Sequence, residues 1–265
     1  GMARPLIGAK LKEHETKGAE VVIALDVSNS MLAQDYSPNR LERAKLAISR
    51  LVDKLRDDRI GLIVFAGSSY VQLPITTDYV SAKMFLNTIS TESVPIQGTA
   101  LADAINTAAR SFSAQSEKSR AIIVITDGEN HEDDPVKAAK QAAELGIKVY
   151  TIGVGSPEGK PIPLKDGGLM KDREGNIVVT RLDENTLSEI ASAGNGAYVR
   201  AGNSEFGLNP IIDDIKKMDA EKFNSVVFEE YDEQYMYFFA FALFFFVLTC
   251  LIGDRKTKFS LFGTN

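Results

Sequence analysis

The feature that most constrains the fold of this chain is the alternation of short, mostly apolar runs with segments whose apolar residues recur at helical spacing. The apolar runs have the length of β-strands and lie at Val21–Asp26, Ile60–Phe65, Ala121–Thr126 and Lys148–Gly153. Arg40–Leu55 separates the first two and shows the helical pattern. This alternation is typical of a parallel sheet covered on both faces. We therefore predict an α/β fold with a doubly wound, mostly parallel sheet flanked by helices.

The rest of the chain up to about residue 220 continues the pattern. Further helices are predicted after Asp78, from Thr99 to about Phe112, and over 135–146, 182–193 and 204–219; shorter strands are predicted over 70–74 and 198–200. A Gly- and Pro-rich insertion at about 156–180 interrupts the alternation and is predicted to form a hairpin.

Composition excludes several classes of function. The chain has 265 residues and a formal net charge of −6, which disfavours nucleic-acid binding because that function needs a basic face. Cys250 is the single cysteine, so an intramolecular disulfide is excluded. Only two histidines are present, His14 and His131, which argues against a histidine-based zinc or catalytic site.

The C-terminal part of the chain contains a long uncharged stretch. About 20 apolar residues suffice to cross a bilayer, and 235–253 carries no charged residue, with Tyr235 and Tyr237 placed to anchor at one interface. The alternative is a buried core helix, but such a helix should carry a polar face. We predict one C-terminal transmembrane helix.

The flanks of this stretch predict its orientation and the domain organisation. Basic residues follow the span at 254–258 and acidic residues precede it, which places the C-terminus in the cytoplasm and the main domain outside it. Lys216, Lys217 and Lys222 lie on the other side of the span and weaken that assignment.

Gly1 before Met2 resembles a cleavage scar, so we expect a truncated N-terminus. The expected segments are a basic leader at 1–18, the α/β domain at 19–220, an acidic linker at 221–234, the span at 235–253 and a basic tail at 254–265.

Oxygen-bearing side chains stand where the predicted strands end. Asp26, Ser28 and Ser30 follow the first strand at i, i+2 and i+4, Thr99 follows Gly98, and Asp127 follows the strand at 121–126. Ligands of doubly wound sheets bind beyond the carboxyl ends of the strands, and hard oxygen ligands suit Mg²⁺. Asp and Ser are also common in turns and caps, so Asp26–Ser30 alone is a weak signal. Together the segments predict a metal site.

These residues resemble the metal-ion-dependent adhesion site of von Willebrand factor type A domains at all five motif positions. The resemblance implies that Ser28 and Ser30 bind Mg²⁺, or Mn²⁺, directly and that Thr99 joins them in an open state. It implies that Asp26 and Asp127 act directly or through water, and that an Asp or Glu of a protein partner completes the coordination.

Flanking segments narrow the resemblance further. The chain is similar to the bacterial aerotolerance-operon (Bat) membrane proteins, in particular to the BatB branch of the BatA/BatB group. The segments that carry this similarity are Met31 after the first motif, Asn39-Arg40-Leu41, Pro74-Ile75-Thr76-Thr77-Asp78 and the final apolar span. That family implies further spans before the domain, assembly with other Bat proteins and a link to a MoxR-type AAA+ ATPase. A cytoplasmic ATPase would suit an inward-facing domain, so the topology stays open.

The residues favour binding over catalysis. A dehalogenase-type phosphatase needs an Asp where Ser28 stands, and a P-loop motif is absent from the sequence. The acidic segment Glu129–Asp134, with His131 inside it, is either a second cation site or a solvated entry to a helix; we favour the latter. We expect a non-enzymatic, membrane-anchored, Mg²⁺-dependent protein-binding module. The alternatives are a Mg²⁺-assisted hydrolase at the same site and a scaffold with a vestigial metal site.

Overall fold

A computed structural model describes seven stretches of the chain: 18–55, 57–113, 118–130, 133–164, 166–202, 208–227 and 235–251. The described residues up to Phe223 form one compact unit, and those after it belong to a second unit. The predicted leader up to residue 17, residues 228–234 of the predicted linker, the end of the predicted span after Leu251 and the predicted tail lie outside the described residues.

The first unit is built on one sheet of six strands, with order β3-β2-β1-β4-β5-β8. All neighbouring pairs are parallel except β2 and β3, which are antiparallel. Two further short strands, β6 and β7, pair with each other in the insertion. The strands are β1 Glu20–Asp26, β2 Arg59–Phe65, β3 Ser69–Thr76, β4 Arg120–Thr126, β5 Ile147–Gly153, β6 Lys160–Pro161, β7 Val179–Thr180 and β8 Asn195–Arg200.

Helices cover both faces of the sheet, as predicted. The apolar residues of α1, α2 and α6 pack on one face, and those of α3, α4 and α5 pack on the other. The helices of this unit are α1 Arg40–Lys54, α2 Tyr79–Thr88, α3 Leu101–Ser111, α4 Pro135–Glu144, α5 Glu184–Ala193 and, as far as Phe223, α6 Leu208–Val227; 3-10 turns occupy Asn29–Leu32 and Thr91–Ser93. The predicted α/β fold is confirmed.

Strand β1 shows why its sequence is a continuous apolar run. Val21, Ile23 and Leu25 pack into the layer under α1, while Val22 and Ala24 pack into the opposite layer under α3. All five side chains are buried, because side chains alternate between the two faces of a strand and helices cover both faces of this sheet.

Successive strands are added on one side of β1 first and then, from β4 onward, on its other side. The chain leaves β1 toward β2 and β3, and returns to the other side of β1 with β4, β5 and β8. Crevices at such a switch point, outside the carboxyl ends of the strands, are where open α/β sheets bind ligands. Asp26 ends β1 and Asp127 directly follows β4, so both carboxylates lie at this position.

Two predicted helix starts were wrong. Helix α3 begins at Leu101, not Thr99, because the Ala100 amide donates a 2.7 Å hydrogen bond to the Ala66 carbonyl and so holds the preceding residues in a loop. Helix α5 begins at Glu184, not Leu182, because the Asp183 side chain accepts a 3.1 Å bond from the Thr186 amide as an N-cap.

The last helix of the first unit also differs from its predicted bounds of 204–219. It is described from Leu208 and continues to Val227, while residues 203–207 lie outside the described part of the chain. Its buried residues Leu208, Ile211 and Ile215 recur at helical spacing and pack on the sheet.

The second unit contributes one described helix, α7, at Tyr235–Leu251. It contains no charged residue, and its described side chains, from Phe239 to Thr249, are exposed. Among the described residues, no helix combines the length and the apolar character needed to cross a membrane. The predicted transmembrane helix is therefore not confirmed.

Candidate metal centre

Asp26 is fixed at the carboxyl end of β1. Its side chain is fully buried. Its Oδ1 accepts a 2.8 Å bond from the Ser28 amide, and its Oδ2 accepts a 2.6 Å bond from the Thr126 hydroxyl at the end of the neighbouring strand β4. These two bonds hold the carboxylate between the ends of β1 and β4.

The two serines lie in the turn that follows β1. Ser28 is the residue before the 3-10 turn and has an extended backbone, while Ser30 lies inside that turn. Their hydroxyls are 2.9 Å apart, and both residues are buried. The i, i+2 spacing therefore brings two neutral oxygen ligands to one point.

Thr99 reaches the same edge of the sheet from the loop before α3. The loop is fixed on both sides of Thr99, because the Gln97 side chain accepts a 3.0 Å bond from the Asn29 amide and Ala100 is bonded to Ala66. Gly98 has a φ of +136°, which L side chains rarely adopt, so glycine suits this position. Thr99 itself is buried.

Asp127 follows β4 and is fully buried. Its Oδ2 accepts bonds of 2.9 Å from Arg40 Nη1 and 3.0 Å from the Thr180 hydroxyl. Its Oδ1 accepts a longer bond, 3.3 Å, from the Glu129 amide. The structure thus places all five predicted ligands at one edge of the sheet, which we call the carboxyl edge (residues 26–30, 98–100 and 126–129).

Arg40 is a residue of this site to which the sequence analysis gave no role. Its side chain is fully buried, and its Nε and Nη2 donate to Asp35 at 2.7–3.1 Å while Nη1 faces Asp127. Burial opposes ionisation of Asp35, but the bonds from Arg40 outweigh it and lower the pKa of Asp35. One signal was visible in the sequence: Arg40 is the first residue of a helix, where the helix dipole disfavours a cation.

The electrostatics of the site favour a cation. Burial, and secondly the charge of Asp127, raise the pKa of Asp26 to about 7. Two buried carboxylates repel each other in a low dielectric, so a divalent ion between them would lower that cost. The donors comprise two carboxylates and three hydroxyls, which are hard oxygen ligands of the type Mg²⁺ and Mn²⁺ prefer. The residues present therefore fit such an ion.

Two carboxylates of the acidic segment after Asp127 accept hydrogen bonds from the starts of helices. Asp133 Oδ2 accepts a 3.0 Å bond from the Asp103 amide in the first turn of α3, and Asp134 caps α4 by accepting from the Lys137 amide. His131 and Glu132 lie outside the described residues. Among the described residues, the carboxyl edge with its two carboxylates included, no group of three or more His, Cys, Asp or Glu side chains is placed to hold a metal.

A cavity of about 650 Å³ adjoins the carboxyl edge. Asn29, which lies between the two serines, and Gln97, two residues before Thr99, form one wall. The insertion contributes Pro163, Leu164 and Met170 to the lining of the same cavity. A molecule in this cavity would therefore contact both the turn after β1 and the insertion.

Comparisons with known proteins agree with this geometry. The profile of the von Willebrand factor type A domain matches residues 20–213. The solved structure of BatB, described as a conserved hypothetical protein from Bacteroides thetaiotaomicron, is 56% identical, covers 76% of this chain and 100% of its own, and has a TM-score of 0.73. An aerotolerance-related membrane protein from Bacteroides fragilis is 55% identical with the same coverage and a TM-score of 0.74.

One similar protein is longer than this chain. An uncharacterized protein of Borreliella burgdorferi is 30% identical over 223 residues, which is 82% of this chain. This chain spans 64% of the length of that relative. The chain belongs to the von Willebrand factor type A domain family, and within it is similar to the BatB-type, aerotolerance-related membrane proteins.

Proposed function

We propose that this chain is a Mg²⁺-dependent protein-binding module that acts as a non-enzymatic subunit of a bacterial envelope complex linked to aerotolerance. The observation that carries the proposal is the convergence of Asp26, Ser28, Ser30, Thr99 and Asp127 at the carboxyl edge, with both carboxylates buried. Mn²⁺ has the same ligand preference and is the alternative ion.

The chemistry of the donors supports binding over turnover. Three of the five side chains are neutral hydroxyls, so a bound Mg²⁺ keeps much of its positive charge and can accept a carboxylate from outside the chain. The chain supplies the pre-oriented oxygens, and the partner supplies an Asp or Glu. The cavity beside Asn29 and Gln97 is placed to receive the residues that flank that acidic side chain.

The partners we propose follow from the family. The similarity to BatB supports assembly with other Bat-type membrane proteins, and a MoxR-type AAA+ ATPase is the proposed link to the cytoplasm. Nucleic acid is not a proposed partner, because the chain carries a net charge of −6.

We also propose that α7, extended to residue 253, anchors the chain in the inner membrane with the main domain in the periplasm. Two observations support the anchor: the helix is uncharged with exposed phenylalanines, and one similar solved structure is described as an aerotolerance-related membrane protein. Exposed apolar surface of this kind is typical of a surface that contacts lipid or protein.

Cross-linking in native membranes, followed by mass spectrometry, tests the proposal. Thr99→Val removes one proposed ligand and leaves the shape of the side chain nearly unchanged. Thr151→Val is the matched control, because Thr151 is also buried but its hydroxyl bonds the Leu187 carbonyl, which belongs to α5.

The expected result is a set of cross-linked proteins that is present with Mg²⁺, lost with EDTA, lost in Thr99→Val and kept in Thr151→Val. A set that survives both EDTA and Thr99→Val would overturn the proposal in favour of a scaffold with a vestigial site. Mg²⁺-dependent hydrolysis of a phosphate ester or peptide by the purified chain would overturn it in favour of an enzyme.

A further inference from the structure

The two oxygens of Asp127 have different surroundings. Oδ2 accepts two short bonds, from Arg40 and from Thr180, while Oδ1 accepts only the longer bond from Glu129 among those described. Oδ2 is therefore held by hydrogen bonds within the protein, and Oδ1 is the oxygen that is better placed to bind a cation.

The two donors to Oδ2 are joined to each other. Arg40 Nη1 also donates a 3.1 Å bond to the Thr180 hydroxyl, so the three side chains form a closed triangle. Thr180 has 1% of its surface exposed, and Arg40 has none. Because all three groups are buried, each of them is held in one orientation by the other two.

Thr180 belongs to the insertion, at the end of β7. The beginning of the insertion is tied to the same cluster, because the Ser156 amide donates a 2.8 Å bond to Asp35, the carboxylate that holds the far side of Arg40. Both ends of the insertion thus converge on Arg40.

We propose that Thr180 and Arg40 are positioning residues of the metal site, and that the insertion is for this reason part of that site. They hold Asp127 with one oxygen turned toward the ion. This inference rests on the proposed function, because it requires that the carboxyl edge binds a divalent metal.

The physical reason is the rotational freedom of a carboxylate. Groups that hydrogen-bond to a metal ligand fix its orientation, and their loss typically lowers metal affinity about 10- to 100-fold. Thr180 donates one proton to Asp127 and accepts one from Arg40. Valine in its place removes both bonds, while serine retains the hydroxyl.

The experiment compares Mg²⁺ affinities, measured by calorimetry on the full chain in detergent, with Mn²⁺ electron paramagnetic resonance as a second readout. Thr180→Val is expected to weaken affinity for both ions about 10-fold. Thr180→Ser is expected to restore it, and Thr151→Val, which loses one buried hydroxyl outside the triangle, is expected to bind as the wild type does.

A second variant keeps the inference testable if Thr180→Val does not fold. Arg40→Lys keeps the charge but replaces the planar fork by a point donor that cannot hold Asp35 and Asp127 together, so weaker metal binding is again expected. Thermal unfolding in EDTA identifies the folded variants.

The outcomes separate this inference from the proposed function. If the wild type binds neither Mg²⁺ nor Mn²⁺, both fail. If the wild type binds and folded Thr180→Val has the affinity of Thr151→Val, the proposed function stands and the positioning role is overturned. A merely structural role for Thr180 predicts a loss of stability in Thr180→Val and no change in metal affinity.

Discussion

Arg40 packs against the backbone of a single glycine. Gly155 has a φ of +143°, and a Cβ on this residue would lie 2.9 Å from the carbon of the Arg40 guanidinium. That guanidinium cannot move aside cheaply, because its hydrogen bonds to Asp35 and Asp127 hold both of its ends. Gly155 thus contributes to the site without touching a ligand.

Gly155→Ala is therefore expected to destabilise the folded chain by about 1–3 kcal/mol, from backbone strain and from displacement of a buried cation. Urea unfolding measures the free energy. Gly175→Ala is the matched control, since Gly175 also has a positive φ, +90°, but nothing lies within 4 Å of its Cβ position. Equal losses in the two variants would show that contact with Arg40 contributes nothing.

The ionisation of Asp26 predicts how stability depends on pH. Burial raises the pKa of Asp26 from 3.8 to about 7 in the metal-free fold. Between these values the folded state binds more protons than the unfolded state, so the free energy of unfolding falls as pH rises through this window. Above it the ionised carboxylate remains as a cost, which a divalent cation offsets.

Mg²⁺ should consequently raise the melting temperature more at about pH 8 than at about pH 5, because protons compete with the ion at the lower pH. Thermal unfolding with Mg²⁺ or with EDTA at both pH values is the measurement. An equal shift at the two pH values would contradict the role assigned to Asp26.

At the scale of elements, the segment that directly follows the insertion is also joined to the carboxyl edge, through its backbone. The amide of Arg181 donates to Glu129 Oε1 at 2.8 Å, and the amide of Asp183 donates to the Asp127 carbonyl at 2.9 Å. A metal that orders Asp127 therefore acts on the segment that follows β7.

Hydrogen exchange tests this connection. Mg²⁺ is expected to slow amide exchange in 181–183 by suppressing local opening of that segment. Helix α2 is the control segment, because it packs on α1 and on the β2–β3 edge of the sheet. Similar slowing in both segments would indicate a global gain in stability and no specific connection.

The elements also show what the sequence could predict. Strands β1 and β4 were predictable because burial on both faces requires continuous apolar runs. The start of α3 was not, because it depends on a bond between Ala100 and Ala66, residues that are distant in sequence. Local sequence patterns predict whether a segment is a helix or a strand more reliably than they predict the residue at which it begins.

At the scale of the whole molecule, the parallel topology explains why the convergence of the candidate ligands at one edge was predictable. Parallel strands place their carboxyl ends at one edge, so residues as far apart in sequence as Asp26 and Asp127 had to meet near the switch in strand order. Thr180 was not predictable, because its contact with Arg40 spans 140 positions and is made by an insertion with weak periodicity. The meeting of the candidate ligands follows from the topology, whereas the contacts that Arg40 and Thr180 make with Asp127 follow from packing.

The central claim, that the carboxyl edge holds a divalent metal, is tested most directly by calorimetric titration of the full chain with Mg²⁺. The account predicts saturable uptake that is lost in Ser30→Ala. The control is Ser119→Ala, a buried serine just before β4 at the opposite end of the sheet, which should bind as the wild type does. Absence of saturable uptake by the wild type, or uptake unchanged in Ser30→Ala, would contradict the account.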